Sequence, residues 1–251
     1  MKRRVMAAAL VWMAAIAAGF GGGARAETVD LVLVLAADVS RSIDDEEFNL
    51  QRKGYANAIT DPEVLSAIIG GKHHAIAVTF VEWAGAGEQN TVVDWTVVRD
   101  GEAAAAIAST IMSAPRSFVG RTAIGAAIDF AVQRLQAASA EGERRVIDVS
   151  GDGTNNSGRP VTEARDEAVS AGITINGLAI INTRSSPGYA FHTQPPGGLP
   201  KYYRENVTGG PDAFLLTIED FHSFADALTR KLVAEIAGIS TPASRRLAGN
   251  Q

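Results

Sequence analysis

Two aspartates and three hydroxyl residues, spread over three stretches, carry the clearest chemistry in this sequence. In LVLVLAADVSRSID, Asp38, Ser40 and Ser42 follow an apolar run at alternate positions. VGRTAIG holds Thr122, and VSGDGTNN holds Asp152. All five side chains end in oxygen, and no His or Cys is expected to join them. An oxygen-only set suits a hard cation. Mg²⁺ prefers an octahedron, keeps several waters and takes only one or two carboxylates from protein. Mn²⁺ and Ca²⁺ are the alternatives, and at least one coordination position is left for water or an outside group. Zinc and softer metals fail on this set, because they favour nitrogen and sulfur ligands. Each residue also has a plainer reading. Asp38, Ser40 or Thr122 could cap the helix that follows it, and Asp152 between two glycines could be a turn residue.

Whether the five meet depends on the elements that carry them. Residues 29–36 read as a buried strand and 44–60 as a helix with acids in its first turn, which complement the helix dipole. Residues 75–83 and 91–98 read as strands across the turn GAGEQN, an antiparallel hairpin. Helices are expected over 102–112, 122–137, 162–171 and 221–236, and further strands over 145–149, 173–181 and 213–218. No element is assigned to 61–74. Residues 182–211 carry five Gly and five Pro and read as a long irregular segment. This alternation predicts an α/β, doubly wound, mostly parallel six-stranded sheet with one antiparallel edge strand and helices on both faces. Ligands of such sheets bind beyond the carboxyl ends of the strands. Asp38, Ser40 and Ser42 follow one strand, Asp152 follows another, and Thr122 opens a helix, so all five should reach the same rim.

The chain has 251 residues. Its first 26 read as a secretory signal peptide: MKRR, then an apolar run, then Ala24-Arg25-Ala26. A membrane anchor is the alternative, but the run is short and Gly-rich at its end. No later stretch approaches the roughly 20 apolar residues of a spanning helix. The expected product is a bacterial periplasmic or secreted domain over 27–240, with a disordered tail over 241–251. Removing the leader takes the basic count from 23 to 19 against 28 acids, and the formal charge from −5 to −9. Such an acidic domain argues against nucleic acid as a partner. Without cysteine there is no thiol catalysis and no disulfide, and a domain of this length needs neither to bury a core.

Asp38-x-Ser40-x-Ser42, Thr122 in GRTAIG and Asp152 in SGDG resemble the metal-ion-dependent adhesion site of von Willebrand factor type A (vWA) domains. The resemblance runs over about 27–239. It is strongest to the bacterial secreted group DUF1194, through VSGDGTNN, KYYRENVTGGPDAF and SFADALTRKLVAEI. It implies that Ser40, Ser42 and Thr122 coordinate the metal directly, that Asp38 and Asp152 supply charge through bound water, and that a partner protein's carboxylate completes the set. Arg41 stands where many members have Gly, a cation that would shield the metal or recruit an acidic ligand. The resemblance implies a binder rather than an enzyme.

The residues themselves agree. There is no Gly-x-Ser-x-Gly elbow and no P-loop, and a phosphatase-type Asp-x-Asp is absent because Ser40 holds its second position. A Mg²⁺-dependent hydrolase and a purely structural envelope domain remain the alternatives. Tyr189, Phe191, His192, Tyr202 and Tyr203 lie in the irregular segment, which should begin on the metal's rim. Aromatic residues are favoured as interface anchors, so these and Arg41 are the candidate partner contacts. The other reading is a segment folded onto its own domain. Trp83 and Trp95 are expected to pair across the hairpin or to pack in the core. Asn155-Asn156-Ser157 and Asn206-Val207-Thr208 match the glycosylation triplet.

Overall fold

The computed structural model describes residues 26–181, 190–219 and 221–238. The proposed leader and tail, Tyr189 and the side chain of Phe191 lie outside the described residues. Six described strands form one sheet: β1 (Glu27–Asp38), β2 (Ile76–Trp83), β3 (Gln89–Val98), β4 (Ala140–Gly151), β5 (Thr174–Ile180) and β6 (Leu215–Ile218). Their order is β3-β2-β1-β4-β5-β6. Only the β2–β3 pair is antiparallel, and β3 lies at the edge. The sheet is the one expected from the alternation of elements.

β1 shows why it is buried on both faces. Leu31, Leu33 and Leu35 join one core layer and Val32, Val34 and Ala36 the other, as the two-residue period of a strand requires. The first layer packs under α1 (Asp45–Thr60), α2 (Pro62–Ile69), α3 (Gly101–Ser113) and α8 (Phe224–Ala237). The second packs under α4 (Ile124–Gln136) and α5 (Val161–Ser170). Trp83 is fully buried in this second layer and Trp95 packs against it. The two do not pair across the hairpin, because Trp83 stands opposite Gln89.

α2 lies within 61–74, where the sequence pattern alone assigns no element. Its signals were present: Asp61 caps it by accepting from the Glu63 N–H (2.8 Å), Pro62 opens it, and Val64 and Ile68 are buried one turn apart. The segment 182–211 is likewise not irregular throughout. It contains α6 (Ala190–Thr193), α7 (Leu199–Tyr202) and a π-turn, Tyr203–Val207. Leu199, Tyr203 and Val207, spaced by four, are all buried in the second core layer. That apolar face holds the segment on the sheet despite its Gly and Pro content. Among the described residues no helix is long and apolar enough to cross a membrane.

Beneath α8 lies a charged triad with no exposure. Lys231 Nζ is 2.7 Å from Asp148 Oδ1 and also pairs with Glu235, whose Oε1 accepts from Asn176 Nδ2 (2.9 Å). Burial first, then Glu235, pushes the Asp148 carboxyl up to about 7, against the lowering effect of Lys231. Removing one member of a buried pair strands the others. Lys231→Met should therefore lower stability by about 3–5 kcal/mol in urea denaturation at pH 8. The Asp148 carboxyl titrates near its ordinary value when unfolded but stays protonated to higher pH inside the fold. The loss should therefore shrink as pH falls to 5 and this carboxyl becomes neutral.

Candidate metal centre

The rim at the carboxyl ends of β1 and β4 brings Asp38, Ser40, Ser42, Thr122 and Asp152 together. None of them caps a helix by its side chain. α1 is capped by Asp44, which accepts from the Glu47 N–H (2.8 Å) while Glu47 Oε2 accepts from the Asp44 N–H (2.9 Å), a reciprocal capping box. α4 has Ala123 at its N-cap and no side-chain cap. Asp38, Ser40, Thr122 and Asp152 are buried, and Ser42 is half-buried.

Their loops are stitched to one another by backbone. Arg41 N–H donates to Gly120 O (3.0 Å), Ala123 N–H to Ala84 O (2.8 Å) and Asn156 N–H to Thr122 O (2.8 Å). Arg116 holds the Asp38–Ser42 turn from below: its Nη2 donates to the carbonyls of Val39 (2.9 Å), Ser40 (3.0 Å) and Ile43 (2.8 Å). Arg52 performs the same service for the preceding loop, donating to Ile111 O (2.8 Å) and Pro115 O (3.0 Å) while paired with buried Glu82 at 2.6 Å. No sequence motif marks either arginine.

The hydroxyls form a directed chain. Ser42 Oγ donates to Asp152 Oδ1 (2.6 Å), so Ser40 must donate across the 3.2 Å Ser40–Ser42 contact, and Thr122 Oγ1 donates to Ser40 Oγ (3.1 Å). His192 supplies the first link, its Nε2 lying 2.9 Å from Thr122 Oγ1. Asn156 fixes the tautomer. Its Oδ1 accepts from the Thr122 N–H (2.9 Å), which turns its Nδ2 donor toward His192 Nδ1 at 3.4 Å. Nδ1 is then an acceptor, also facing Thr154 Oγ1 at 3.1 Å, and the proton sits on Nε2. Burial lowers the His192 pKa, so the ring is neutral at pH 7. This corrects the expectation that no histidine joins the oxygen donors. α6 returns over the rim and lays the ring on Gly153, where a Cβ would lie only 2.1 Å from Nε2.

Asp38 is the site's unbalanced member. Its Oδ1 accepts from the Ser40 N–H (2.7 Å), but the fully buried Oδ2 has no hydrogen-bond partner. Burial first, then the charge of Asp152, raises its pKa well above the ordinary carboxylate value. Tyr203, expected at a partner contact, is fully buried instead, because the apolar face of its turn faces the core. Its hydroxyl also lacks a partner. A Cβ on Gly151 would lie 2.5 Å from that hydroxyl and 2.9 Å from Asp38 Oδ2, so both groups crowd that glycine. Tyr202 is half-buried and its hydroxyl accepts from the Asn155 N–H (3.1 Å). The Asn155 amide, the glycosylation candidate, is bound to Gly125 N–H (3.1 Å) and Arg159 O (3.1 Å).

These residues fit a cation. Adjacent donors around an octahedral ion with bonds of about 2.1 Å lie about 3.0 Å apart, and the donors here are spaced 2.6 to 3.2 Å. Among the described residues no three His, Cys, Asp or Glu side chains gather as a conventional metal cage, so an ion would depend on the hydroxyl oxygens. Outside the donors a cleft of about 750 Å³ opens between exposed Arg41 and Arg121, with Glu88 also on its wall.

A sheet of this order with an antiparallel edge and a polar site at its carboxyl rim is a vWA fold. The chain belongs to the family described as "Protein of unknown function (DUF1194)", which matches residues 28–240. Proximal thread matrix protein 1 of the mussel byssus, solved with a zinc-occupied adhesion-site motif, is 17% identical with a TM-score of 0.61 over 84% of this chain and 48% of its own. A von Willebrand factor type A protein from Catenulispora acidiphila is 18% identical (TM-score 0.57; 84% and 43% covered). BatB from Bacteroides thetaiotaomicron is 18% identical (TM-score 0.55; 83% and 99% covered). At these identities the likeness is one of fold, and the chain spans about half the mussel protein's length. No curated protein matches significantly.

Asp38→Asn removes the buried negative charge and keeps the acceptor for the Ser40 N–H. Because the carboxyl is raised in the fold and ordinary when unfolded, wild type loses stability relative to the variant as pH rises above about 4. In chelator, the variant's advantage in melting temperature should grow from pH 5 to pH 8, as differential scanning calorimetry at both pH values would show.

Proposed function

We propose that this domain is an exported protein-binding module that holds a divalent cation at the rim and captures an acidic side chain of a partner protein. The observation that carries the reading is the partnerless, fully buried Asp38 Oδ2 beside a second buried carboxylate and three hydroxyls. Ser40, Ser42 and Thr122 would hold the ion through oxygen, with Asp38 and Asp152 supplying charge, and these five donors taken alone suit Mg²⁺. The bound ion supplies an incompletely neutralised positive charge at the floor of the cleft. Arg41 and Arg121 stand exposed at its mouth and favour the same acidic ligand. The mussel and vWA proteins share the fold and support the choice of class.

The Thr122–His192 contact gives the enzyme reading its best geometry, and the proton order weighs against it. A general base must accept the nucleophile's proton, whereas His192 Nε2 donates toward Thr122 and Thr122 donates on to Ser40.

A cation at 100 times its dissociation constant should add about 2.7 kcal/mol of stability. Millimolar divalent metal is expected to raise the melting temperature of wild type and leave Asp38→Ala unmoved. Wild-type protein on a resin should retain envelope proteins that elute with chelator or with an acidic peptide. A flat melting curve across metal concentrations, or retention indifferent to chelator, refutes the reading.

A further inference from the structure

We infer that His192 is a nitrogen ligand of this centre and sets its metal preference, so that the site favours Zn²⁺ and other late first-row divalent ions over Mg²⁺. The inference rests on the cation reading given above and adds a donor to it. Three observations carry it. First, His192 Nε2 is 2.9 Å from Thr122 Oγ1, the same spacing that separates the oxygen donors from one another. Neighbouring ligands stand about 3.0 Å apart around an octahedral ion with bonds of about 2.1 Å, and about 3.4 Å apart around a tetrahedral one. Nε2 thus stands beside Thr122 Oγ1 at close to ligand-to-ligand distance.

Second, the other ring nitrogen is held as a ligating histidine needs. Such residues present one nitrogen to the metal and fix the second by a hydrogen bond. Nδ1 faces Thr154 Oγ1 at 3.1 Å, and the His192 carbonyl accepts from the Thr154 N–H (3.1 Å). Thr154 thus grips the residue by side chain and backbone. A hydroxyl can accept as well as donate. When the Nε2 lone pair turns to a cation, the ring proton moves to Nδ1, Thr154 Oγ1 receives it as a hydrogen bond, and the Asn156 Nδ2 donor, 3.4 Å from Nδ1 in this structure, turns aside. The imidazole stays neutral, and no net proton is lost.

Third, the place is cleared for the ring. It lies on Gly153, next to Asp152, and any Cβ there would overlap it. Imidazole suits Zn²⁺, Cu²⁺ and Ni²⁺, whereas Mg²⁺ prefers oxygen.

The test is calorimetric titration of wild type, His192→Ala, His192→Gln and Asp38→Ala with Zn²⁺ and, separately, Mg²⁺. Circular dichroism verifies that each variant is folded. Cu²⁺ serves as a spectroscopic probe, with nitrogen hyperfine coupling read by electron paramagnetic resonance. Both His192 variants should bind Zn²⁺ at least about tenfold more weakly, change little toward Mg²⁺, and lose the imidazole coupling on Cu²⁺. If Zn²⁺ binds wild type in an Asp38-dependent way and both His192 variants bind it equally well, the ligand role is overturned and the cation reading survives. Mg²⁺ binding that tightens in the variants while Zn²⁺ binding holds would make the ring a cover, again overturning the inference. If neither metal binds wild type, or binding ignores Asp38, both readings fall together.

Discussion

Two carboxylates buried at one end of a parallel sheet repel each other, and much of the surrounding structure answers that repulsion. Asp38 and Asp152 have no exposure, and the charge of one raises the pKa of the other. In water such a pair would be screened; in a low-dielectric interior the interaction is several times stronger. Asp152 is met by the Ser42 hydroxyl and Asp38 Oδ1 by a backbone N–H, but Asp38 Oδ2 is met by nothing. A site of this kind is strained in favour of a positive charge. Ordinary packing would have replaced one carboxylate with an amide or an apolar group, as buried ion pairs show when they are exchanged for hydrophobic residues.

Holding that arrangement requires rigid neighbours. β1 and β4 are adjacent central strands, and their ends cannot move apart without breaking the longest parallel pairing in the sheet. Arg116 collects three carbonyls of the turn that carries Ser40 and Ser42, and Arg52 with Glu82 fixes the loop from which Arg116 reaches. These cations lie behind the turn, bonded to backbone, so they steady the site without neutralising its carboxylates at hydrogen-bond distance. Gly151 and Gly153 flank Asp152 for a related reason. One lets Tyr203 and Asp38 approach, and the other lets His192 lie flat.

The strands and the five oxygen donors were legible because each rested on a short-range pattern. The two-residue alternation of β1 marks a strand between two helical layers, and a polar Asp-x-Ser-x-Ser at its carboxyl end falls where parallel sheets place ligands. Capping was the alternative for each residue taken alone, and Asp44, with Glu47 three positions further on, decides it. What could not be read depends on long-range return of the chain. His192 lies 70 residues from Thr122 in a stretch dominated by Gly and Pro, and nothing local says that it folds back. Arg52 and Arg116 look like surface arginines on their helix and loop. Tyr203, a candidate partner contact by residue type, belongs to the other reading, a segment folded onto its own domain: with Leu199 and Val207 four residues to either side it forms a buried apolar face, a helical spacing obscured by the Gly and Pro around it.

The two halves of the rim are therefore built on different terms. The oxygen donors come from strand ends and a helix start, whose positions are fixed by the sheet. The imidazole comes from a four-residue helix held by Thr154, Asn156 and a glycine surface. The apolar anchors Leu199, Tyr203 and Val207 fix the following turns to the sheet but lie seven residues or more beyond the ring. Local opening is least costly where few buried apolar contacts are lost, so the imidazole can leave the rim without disturbing a strand. On the proposed reading, an incoming carboxylate would compete with this neutral ring nitrogen while the sheet-borne oxygen donors form the scaffold, and the imidazole, on a short helix, would be the more adjustable donor.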